Sequence, residues 1–173
     1  KKDMQCLAEN TSIVTIKEKE VYLFLNSICK QMGFVLEGVF KVAKFNSQGD
    51  EYIPYFVTPG HFAVDVDSFF HQTNAEEEIT ALTFCKIVAI SKSDYEVLEQ
   101  EIPNFSKIIA AIKEKALVEK LKLKNEMLVD AAEVRFQKLM ERQPQLFQFV
   151  PQSQIAKHLG ITQYTLSRIK SKV

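Results

Sequence analysis

The chain has 173 residues, of which 46% are apolar and 25% are charged, a composition typical of a globular protein with one large domain or two small ones. No apolar run reaches about 18 residues, so the sequence predicts no transmembrane helix, and it shows no secretory signal. The charge is uneven: no Asp or Glu follows Glu141, whereas five basic residues do, which leaves 17 basic against 22 acidic residues in the rest of the chain. A basic end on an acidic body predicts a polyanionic partner for that end, the alternative being an ordinary solvated terminus.

Short β-rich runs separated by turn signals occupy the chain from Ser12 to Ser91. They read "SIVTI", "VYLFL", "MGFVLEG", "VFKVAKF", "YIPYFV", "HFAVDV", "EITALTF" and "CKIVAIS". The Gly, Asn, Asp and Pro residues of "NSQGD" and "TPG" suit tight reversals between them. About eight strands at this spacing predict an antiparallel sandwich, roll or barrel.

Helical periodicity follows the last of these runs. The segment "SKSDYEVLEQEIP" predicts a short helix capped by Ser93, and Pro103 then opens a long helix from Asn104 to about Val129. Its apolar stripe comprises Phe105, Ile109, Ile112, Ala116, Leu123 and Met127. Because a helix of about 26 residues is about 39 Å long, we expect a second copy of the helix as its partner in a dimer, although Glu119 and Lys120 interrupt the stripe. Packing against the β-rich body of the same subunit is the alternative.

The next segment, "DAAEVRFQKLMERQ", predicts an amphipathic helix that begins at Asp130 and ends before Pro144. Val134, Leu139 and Met140 are available on it for a core. The following "QFVP" is interpreted as a short extended link.

The segment "QSQIAKHLGITQYTLSRIKS" has the pattern of a helix-turn-helix. Ala156 is small enough for two helices to cross closely, Gly160 can adopt the positive φ of a sharp turn, and Thr162 can cap the second helix. The apolar residues that would fill the wedge between the helices are Ile155, Leu159, Ile161, Leu166 and Ile169.

The outward side of the second predicted helix carries no acid. It presents Gln163, Tyr164, Ser167, Arg168 and Lys170, of which Arg and Gln can pair bidentately with guanine and adenine in a major groove. The other candidate DNA contacts are Thr162, Ser153 and the phosphate-attracting Lys157 and Lys172. A hairpin used for packing alone is the alternative, but it would not explain an acid-free face.

These features together resemble the CRP/FNR family of transcription regulators, the cyclic-AMP receptor protein type. The resemblance covers nearly the whole chain and is most specific in "VPQSQIAKHLGITQYTLSRIKSKV" and in "FVLEGVFKV", which contains Gly38. It implies an α+β fold with a cyclic nucleotide-binding-like antiparallel β-roll or jelly roll at 1–102, a long dimerisation helix at 103–129 and a helix-turn-helix domain at 130–173. It also implies a cytoplasmic homodimer that binds double-stranded DNA, with two recognition helices in successive major grooves of a palindromic site.

The resemblance is to a wingless, short-tail subgroup and lacks a leading helix before Lys1; because Lys1 stands in place of Met, we expect a fragment or trimmed chain. By position, Gln163, Tyr164 and Arg168 match the family's base-reading residues. Arg168 keeps the arginine of the best-known member, whereas Gln163 and Tyr164 replace an Arg-Glu pair. The resemblance therefore implies a different operator.

The family's nucleotide pocket uses a Gly-Glu pair and an Arg-Ser pair, and this sequence departs from both. The first place reads Gly60-His61, followed by Phe62, and the second reads Ala75-Glu76. All three arginines lie after the β-rich region, and the acidic run 76–78 would repel a phosphate. We expect a degenerate effector pocket that does not bind cyclic AMP in the usual mode. It is either empty or holds an apolar or unidentified small molecule, with "DSFFH" as its lid.

No cofactor, metal or catalytic motif is predicted. The separated Cys6, Cys29 and Cys85 favour reduced thiols over disulfides or an iron–sulfur cluster. Haem ligation by His61 or His71, and a divalent metal held by both together with Asp65 and Asp67, are alternatives to a solvated turn and short helix that buries Phe62, Phe69 and Phe70. The functional alternatives are a small-molecule-binding β-roll without DNA binding and a structural dimerisation protein.

Overall fold

The computed structural model describes residues 2–172, so Lys1 and Val173, the outer ends of the predicted domains, lie outside the described residues. A helix, α1 (Lys2–Glu9), precedes the strands. The sequence analysis missed α1 because it offers only Cys6 and Leu7 to the core, too few apolar residues to reveal a period. In the described part of the chain, no helix is long and apolar enough to cross a membrane.

The β-rich region folds into two four-stranded antiparallel sheets. The strands are β1 (Ser12–Ile16), β2 (Val21–Leu23), β3 (Gln31–Glu37), β4 (Phe40–Phe45), β5 (Glu51–Val57), β6 (Phe62–Ala63), β7 (Glu78–Ala81) and β8 (Cys85–Ser91). One sheet has the order β1-β8-β3-β6 and the other β2-β7-β4-β5. This confirms the predicted antiparallel roll and the α+β class. "HFAVDV" is a strand for only two residues because Asp65 then caps α2 (Val66–His71).

Gly38 forms the tight connection between β3 and β4. Its φ is 92°, and a Cβ atom there would lie 2.3 Å from the Phe84 carbonyl oxygen. Both facts require glycine, since side chains rarely tolerate this φ and no room exists for one. The turn lets β3 and β4 enter different sheets.

The helix α3 (Lys92–Glu101) begins two residues earlier than predicted. Its cap is Ser91, whose Oγ accepts a hydrogen bond from the Asp94 N–H at 3.1 Å, so the expectation of Ser93 was wrong. The reason is that β8 runs directly into α3, and the last strand residue already has the extended conformation that a cap needs.

The long helix α4 (Phe105–Val129) has 25 residues, close to the predicted length, and its apolar stripe is buried only in the first turns. Phe105 and Ile109 are buried in the core of the β-roll, and Ala116 and Leu123 follow on the same side, partly covered. Ile112 and Met127 of the same stripe are each 40% exposed. Packing within the subunit therefore accounts for the first part of the stripe, and the expectation that the stripe meets a second copy stays a prediction. A different face of α4 is left exposed and apolar, formed by Leu117, Val118, Leu121, Leu128 and Val129.

Four helices follow α4: α5 (Ala132–Arg142), α6 (Leu146–Phe149), α7 (Gln152–Leu159) and α8 (Gln163–Lys170). On α5, Phe136 and Leu139 are buried, whereas Val134 and Met140 are exposed, so only Leu139 of the three predicted core residues was right. Phe136 and Leu139 lie three positions apart and therefore share one helical face. The turn α6 also replaces the start of the predicted extended link.

A second hydrophobic core joins these helices to the β-roll. Ile53 and Phe56 of β5, together with Val39 just before β4, pack in one cluster with the apolar side chains of α5, α6, α7 and α8. The C-terminal helices thus complete their core with strand residues. The division at 102 and 129 stays a prediction, since this cluster crosses it.

We expect Ile53→Ala to lower the free energy of unfolding by about 2–5 kcal/mol, as for other large-to-small core changes. Because Ile53 belongs to the shared core, the variant should also speed amide hydrogen exchange in α7. Ile79→Ala truncates a buried residue in the core of the β-roll. It is the matched control and should speed amide hydrogen exchange in α7 less. Equal exchange in both variants would contradict the shared core.

Candidate nucleic-acid interface and sensor body

The two helices α7 and α8 meet at the predicted sharp turn. Gly160 has φ 64°, and the Ile161 N–H donates to the Ala156 carbonyl at 3.0 Å. Thr162 caps α8, because its Oγ1 accepts from the Thr165 N–H at 3.1 Å. Ile155, Leu159, Leu166 and Ile169 are buried between the helices, and Ile161 is partly buried. These contacts confirm that the segment folds as the predicted helix-turn-helix.

The outward side of α8 is free of acidic side chains, and its candidate contacts are solvent-exposed. Tyr164 has 73% of its surface exposed, and Gln163, Ser167, Arg168 and Lys170 are exposed beside it. The Arg168 guanidinium lies 5.9 Å from the Tyr164 ring centroid, within range of a cation–π contact.

The remaining candidate DNA contacts are partly buried or already have partners within the protein. Thr162 is exposed, but its hydroxyl serves as the cap. Ser153 is partly buried in the first turn of α7, and Lys172 lies 4.0 Å from Glu133, at the limit of an ion pair.

Lys157 is not free in solution but paired with the β-roll. Its ammonium donates to Glu51 of β5 at 2.5 Å, and Lys41 of β4 donates to the same carboxylate. Burial would raise the pKa of Glu51, but the hydrogen bonds from Lys157 and Lys41 together outweigh it and hold that pKa below its usual value. The carboxylate is therefore ionised and shared by two lysines.

His158 is a functional candidate that the sequence analysis missed. It is buried between α7 and β5, with Nδ1 2.9 Å from the Ile53 carbonyl oxygen and its ring 5.1 Å from that of Phe56. Burial lowers its pKa, and the nearby Arg142 and Arg135 act in the same direction. The only sequence signal was that His158 stands next to the core residue Leu159 in α7. This position indicates a buried histidine only once β5 is known to pack against α7.

Ionic contacts fix the joint between α4 and α5. The Glu126 carboxylate accepts from Arg142 at 2.7 Å through both oxygens. Lys138 donates to Asp130 at 2.7 Å, while Arg135 donates to the carbonyls of Asp130 and Leu159 at 2.7 and 2.8 Å. Arg135 thereby ties the joint to the end of α7.

The predicted effector residues are only partly brought together. Gly60 and His61 lie in an exposed turn, where His61 Nε2 is 3.8 Å from Glu119 of α4. Phe62 packs edge-on against Phe34 at 5.1 Å. Ala75 is buried, whereas the Glu76 side chain is 88% exposed and lies 3.9 Å from the Lys44 ammonium, at the limit of an ion pair.

A polar network that the sequence analysis missed connects α4 to the β-roll. The Tyr55 hydroxyl donates to Glu77 at 2.8 Å and accepts from Lys120 at 2.8 Å, and Lys44 lies 3.5 Å from Glu77. Burial is the main cause that raises the pKa of Tyr55 and lowers that of Lys120. In the sequence, Glu119 and Lys120 interrupt the apolar stripe of α4. This interruption was the available signal of the network, because both side chains turn toward the β-roll.

The four residues considered for a metal serve other partners. Asp65 caps α2 through the Ser68 N–H at 3.1 Å, Asp67 pairs with His71 at 2.9 Å, and His61 approaches Glu119. Within residues 2–172, no group of three or more His, Cys, Asp or Glu side chains is arranged to hold a metal ion. Phe69 is buried and Phe62 and Phe70 are partly buried, as the alternative of a short helix requires.

A change of pH should test the position of His158. The group has its pKa lowered in the folded protein, so its contribution to stability is fully present above the unfolded pKa of about 6.5 and is lost as the pH falls toward the folded pKa. We expect the wild type to lose more unfolding free energy than His158→Asn between about pH 7.5 and about pH 5.5. Urea denaturation at each pH measures this, with the exposed His71→Asn as control; equal losses in wild type and His158→Asn would contradict it.

Comparison with known proteins identifies the β-roll. Residues 13–101, more than half of the chain, match the model of the cyclic nucleotide-binding domain. No curated protein matches the chain in sequence.

Solved structures share the fold across both parts of the chain. The c-di-GMP responsive global regulator CLP of Xanthomonas campestris superposes with a TM-score of 0.75 at 14% identity, covering 98% of this chain and 89% of its own. FixK2 of Bradyrhizobium japonicum gives 0.73 at 14% identity, covering 94% and 83%. The catabolite activator protein of Thermus thermophilus gives 0.57 at 16% identity, covering 98% and 81%. At these identities the likeness is one of fold.

Proposed function

Because the chain belongs to the cyclic nucleotide-binding domain family, we propose that it is a cytoplasmic, homodimeric, sequence-specific DNA-binding transcription regulator of the CRP/FNR type. The observation that carries the proposal is the helix-turn-helix whose second helix, α8, presents an exposed and acid-free outward side. A packing hairpin would have no need for Tyr164 and Arg168 in solvent. The solved regulators of the same fold support this proposal.

The proposed contacts divide by chemistry. Arg168 can pair bidentately with a guanine and Gln163 with an adenine, while Tyr164 and Ser167 can reach bases or phosphates. Lys170 and Lys172 supply attraction to phosphates that is independent of sequence. Contacts of the first kind specify a site, and contacts of the second kind position the protein on it.

The proposed dimer uses the exposed apolar face of α4. Leu117, Val118, Leu121 and Leu128 recur at spacings of three, four and seven, which suits pairing with a second helix. Such a face is costly to leave in water over the length of a 25-residue helix. The two α8 helices of the dimer would then be related by a two-fold axis and could enter successive major grooves of one duplex.

We propose that the β-roll does not bind cyclic AMP in the usual mode. No arginine lies in it, and the Glu77 carboxylate, bound by Tyr55 and Lys44, adds negative charge on the side that faces α4. An effector, if the protein uses one, has to act on a helix that Lys120 already ties to the β-roll.

Selection from a random duplex library with the ligand-free protein tests the DNA-binding function. We expect enrichment of a palindrome whose half-sites are about one helical turn apart, since a symmetric dimer requires it. If folded dimeric protein enriches no sequence and shows no salt-sensitive affinity for any duplex, while it binds a small molecule saturably, the alternative of a β-roll module without DNA binding is favoured.

We expect Arg168→Ala to weaken operator binding by about 1–3 kcal/mol and to relax the preference at one base pair. Lys170→Ala should instead weaken binding to all sequences similarly and reduce the slope of log affinity against log salt by about one unit. Fluorescence anisotropy on the operator and on a scrambled duplex measures both. A sequence-dependent loss in Lys170→Ala would contradict the assignment of that residue to a phosphate.

We expect Leu121→Glu to abolish the dimer, because it places a charge in the centre of the apolar face of α4. Sedimentation velocity measures the loss, and Lys122→Glu, an exposed neighbour, is the control. A dimer that survives Leu121→Glu would place the interface elsewhere.

A further inference from the structure

A bulge in β5 exposes a backbone acceptor toward α7. Val42 pairs with Tyr55 and Lys44 pairs with Tyr52, so β5 has one more residue than β4 between these two pairs. The extra segment contains Pro54, which has no N–H for the ladder. Bulges bend a strand and redirect its groups, and here the Ile53 carbonyl accepts from His158 of α7.

A salt bridge lies beside this contact. The Glu51 side chain is 15% exposed, and it binds Lys41 of its own sheet and Lys157 of α7. The two lysines differ: Lys41 is nearly as buried as Glu51, whereas 44% of the Lys157 side chain is exposed. Lys157 can therefore leave the carboxylate for solvent while Lys41 remains.

A third contact holds the same surfaces together at the start of the C-terminal helices. Gln143, just after α5, donates to the Thr58 hydroxyl just after β5 at 3.2 Å. The β5 strand thus contacts the helix-turn-helix region near both of its ends.

We propose that the β4–β5 hairpin is an intramolecular latch on α7, in which Glu51 holds the Lys157 ammonium that a DNA phosphate would take. The inference rests on the proposed DNA-binding function and adds a form of regulation to it. A carboxylate and a phosphate oxygen compete for one lysine, so duplex binding is weakened by the free energy of the Lys157–Glu51 pair. Loss of the Lys157–Glu51 contact alone then raises DNA affinity without any change at α8.

Lys41 makes the latch reversible. A buried carboxylate that loses its only partner is strongly destabilising. Because Lys41 keeps Glu51 neutralised, opening the Lys157 contact breaks a single charge-assisted hydrogen bond. The free energy of this one hydrogen bond is small enough for a DNA phosphate to replace Glu51 as the partner of Lys157.

The test compares Glu51→Gln with Asp50→Asn, which removes the same charge one residue away in the hairpin turn. We expect Glu51→Gln to bind a random-sequence duplex about two to five times more tightly than Asp50→Asn, the range expected for one partly exposed ion pair. In a Lys157→Gln background, the two substitutions should give equal affinities. Circular dichroism and sedimentation establish that each variant is folded and dimeric.

Glu51→Asp keeps the charge but shortens the side chain, so it should tighten binding by a smaller factor if Glu51→Gln fails to fold. The contact can also be measured without DNA: acetylation of Lys157 by acetic anhydride should be slower than that of the exposed Lys170 in the wild type, and Glu51→Gln should remove most of this difference.

The outcomes separate the two proposals. Equal affinities of Glu51→Gln and Asp50→Asn, with clear duplex binding by both, would overturn the latch and leave the proposed function intact. Absence of duplex binding by the wild type and by every variant would overturn the proposed function and the competition with it, even if Lys157 proves protected from acetylation.

Discussion

The packing of β5 against α7 is the constraint on which the arrangement of this chain depends. Ile53 and Phe56 complete a core that α5 to α8 build among themselves. His158 and Lys157, neighbours on α7, add a hydrogen bond and a salt bridge at the same surface. The direction of α8 is therefore set by a strand of the β-roll as well as by the chain connection through α4, and the helix-turn-helix has no orientation independent of the β-roll.

The helix α4 mediates between the two parts because its sides have different partners. One side enters the core of the β-roll through Phe105 and Ile109 and continues with Lys120, which binds Tyr55. The opposite side stays apolar and exposed at Leu121 and Leu128. A shift of the β-roll that acts on Lys120 would also move the exposed side of α4, since both belong to one rigid helix.

Sequence patterns predicted the strands, the long helix and the helix-turn-helix because each depends on local physics: alternation in strands, the cap at Thr162 and the positive φ at Gly160. They failed where the deciding partner is distant in sequence. Ser93 was preferred to Ser91 because only the structure shows where β8 ends. The burial of Phe105 and Ile109 in the β-roll was not foreseen, because periodicity does not say which surface a helix face meets. The position of His158 beside core residues could not be interpreted for the same reason, since its partner Ile53 lies about one hundred residues earlier.

The separation between the two cores has a consequence for synthesis of the chain. The first core closes once the early turns of α4 have emerged, because it contains residues up to Ile109. Val39, Ile53 and Phe56 must wait for α7 and α8, which are made after the β-roll. During that interval the nascent chain carries an uncovered apolar patch on an already folded sheet, next to the ladder edge of β5. Intermediates of this kind aggregate or recruit chaperones, so slow translation of the segment from α5 to α8 would lengthen a vulnerable stage in the folding of this protein.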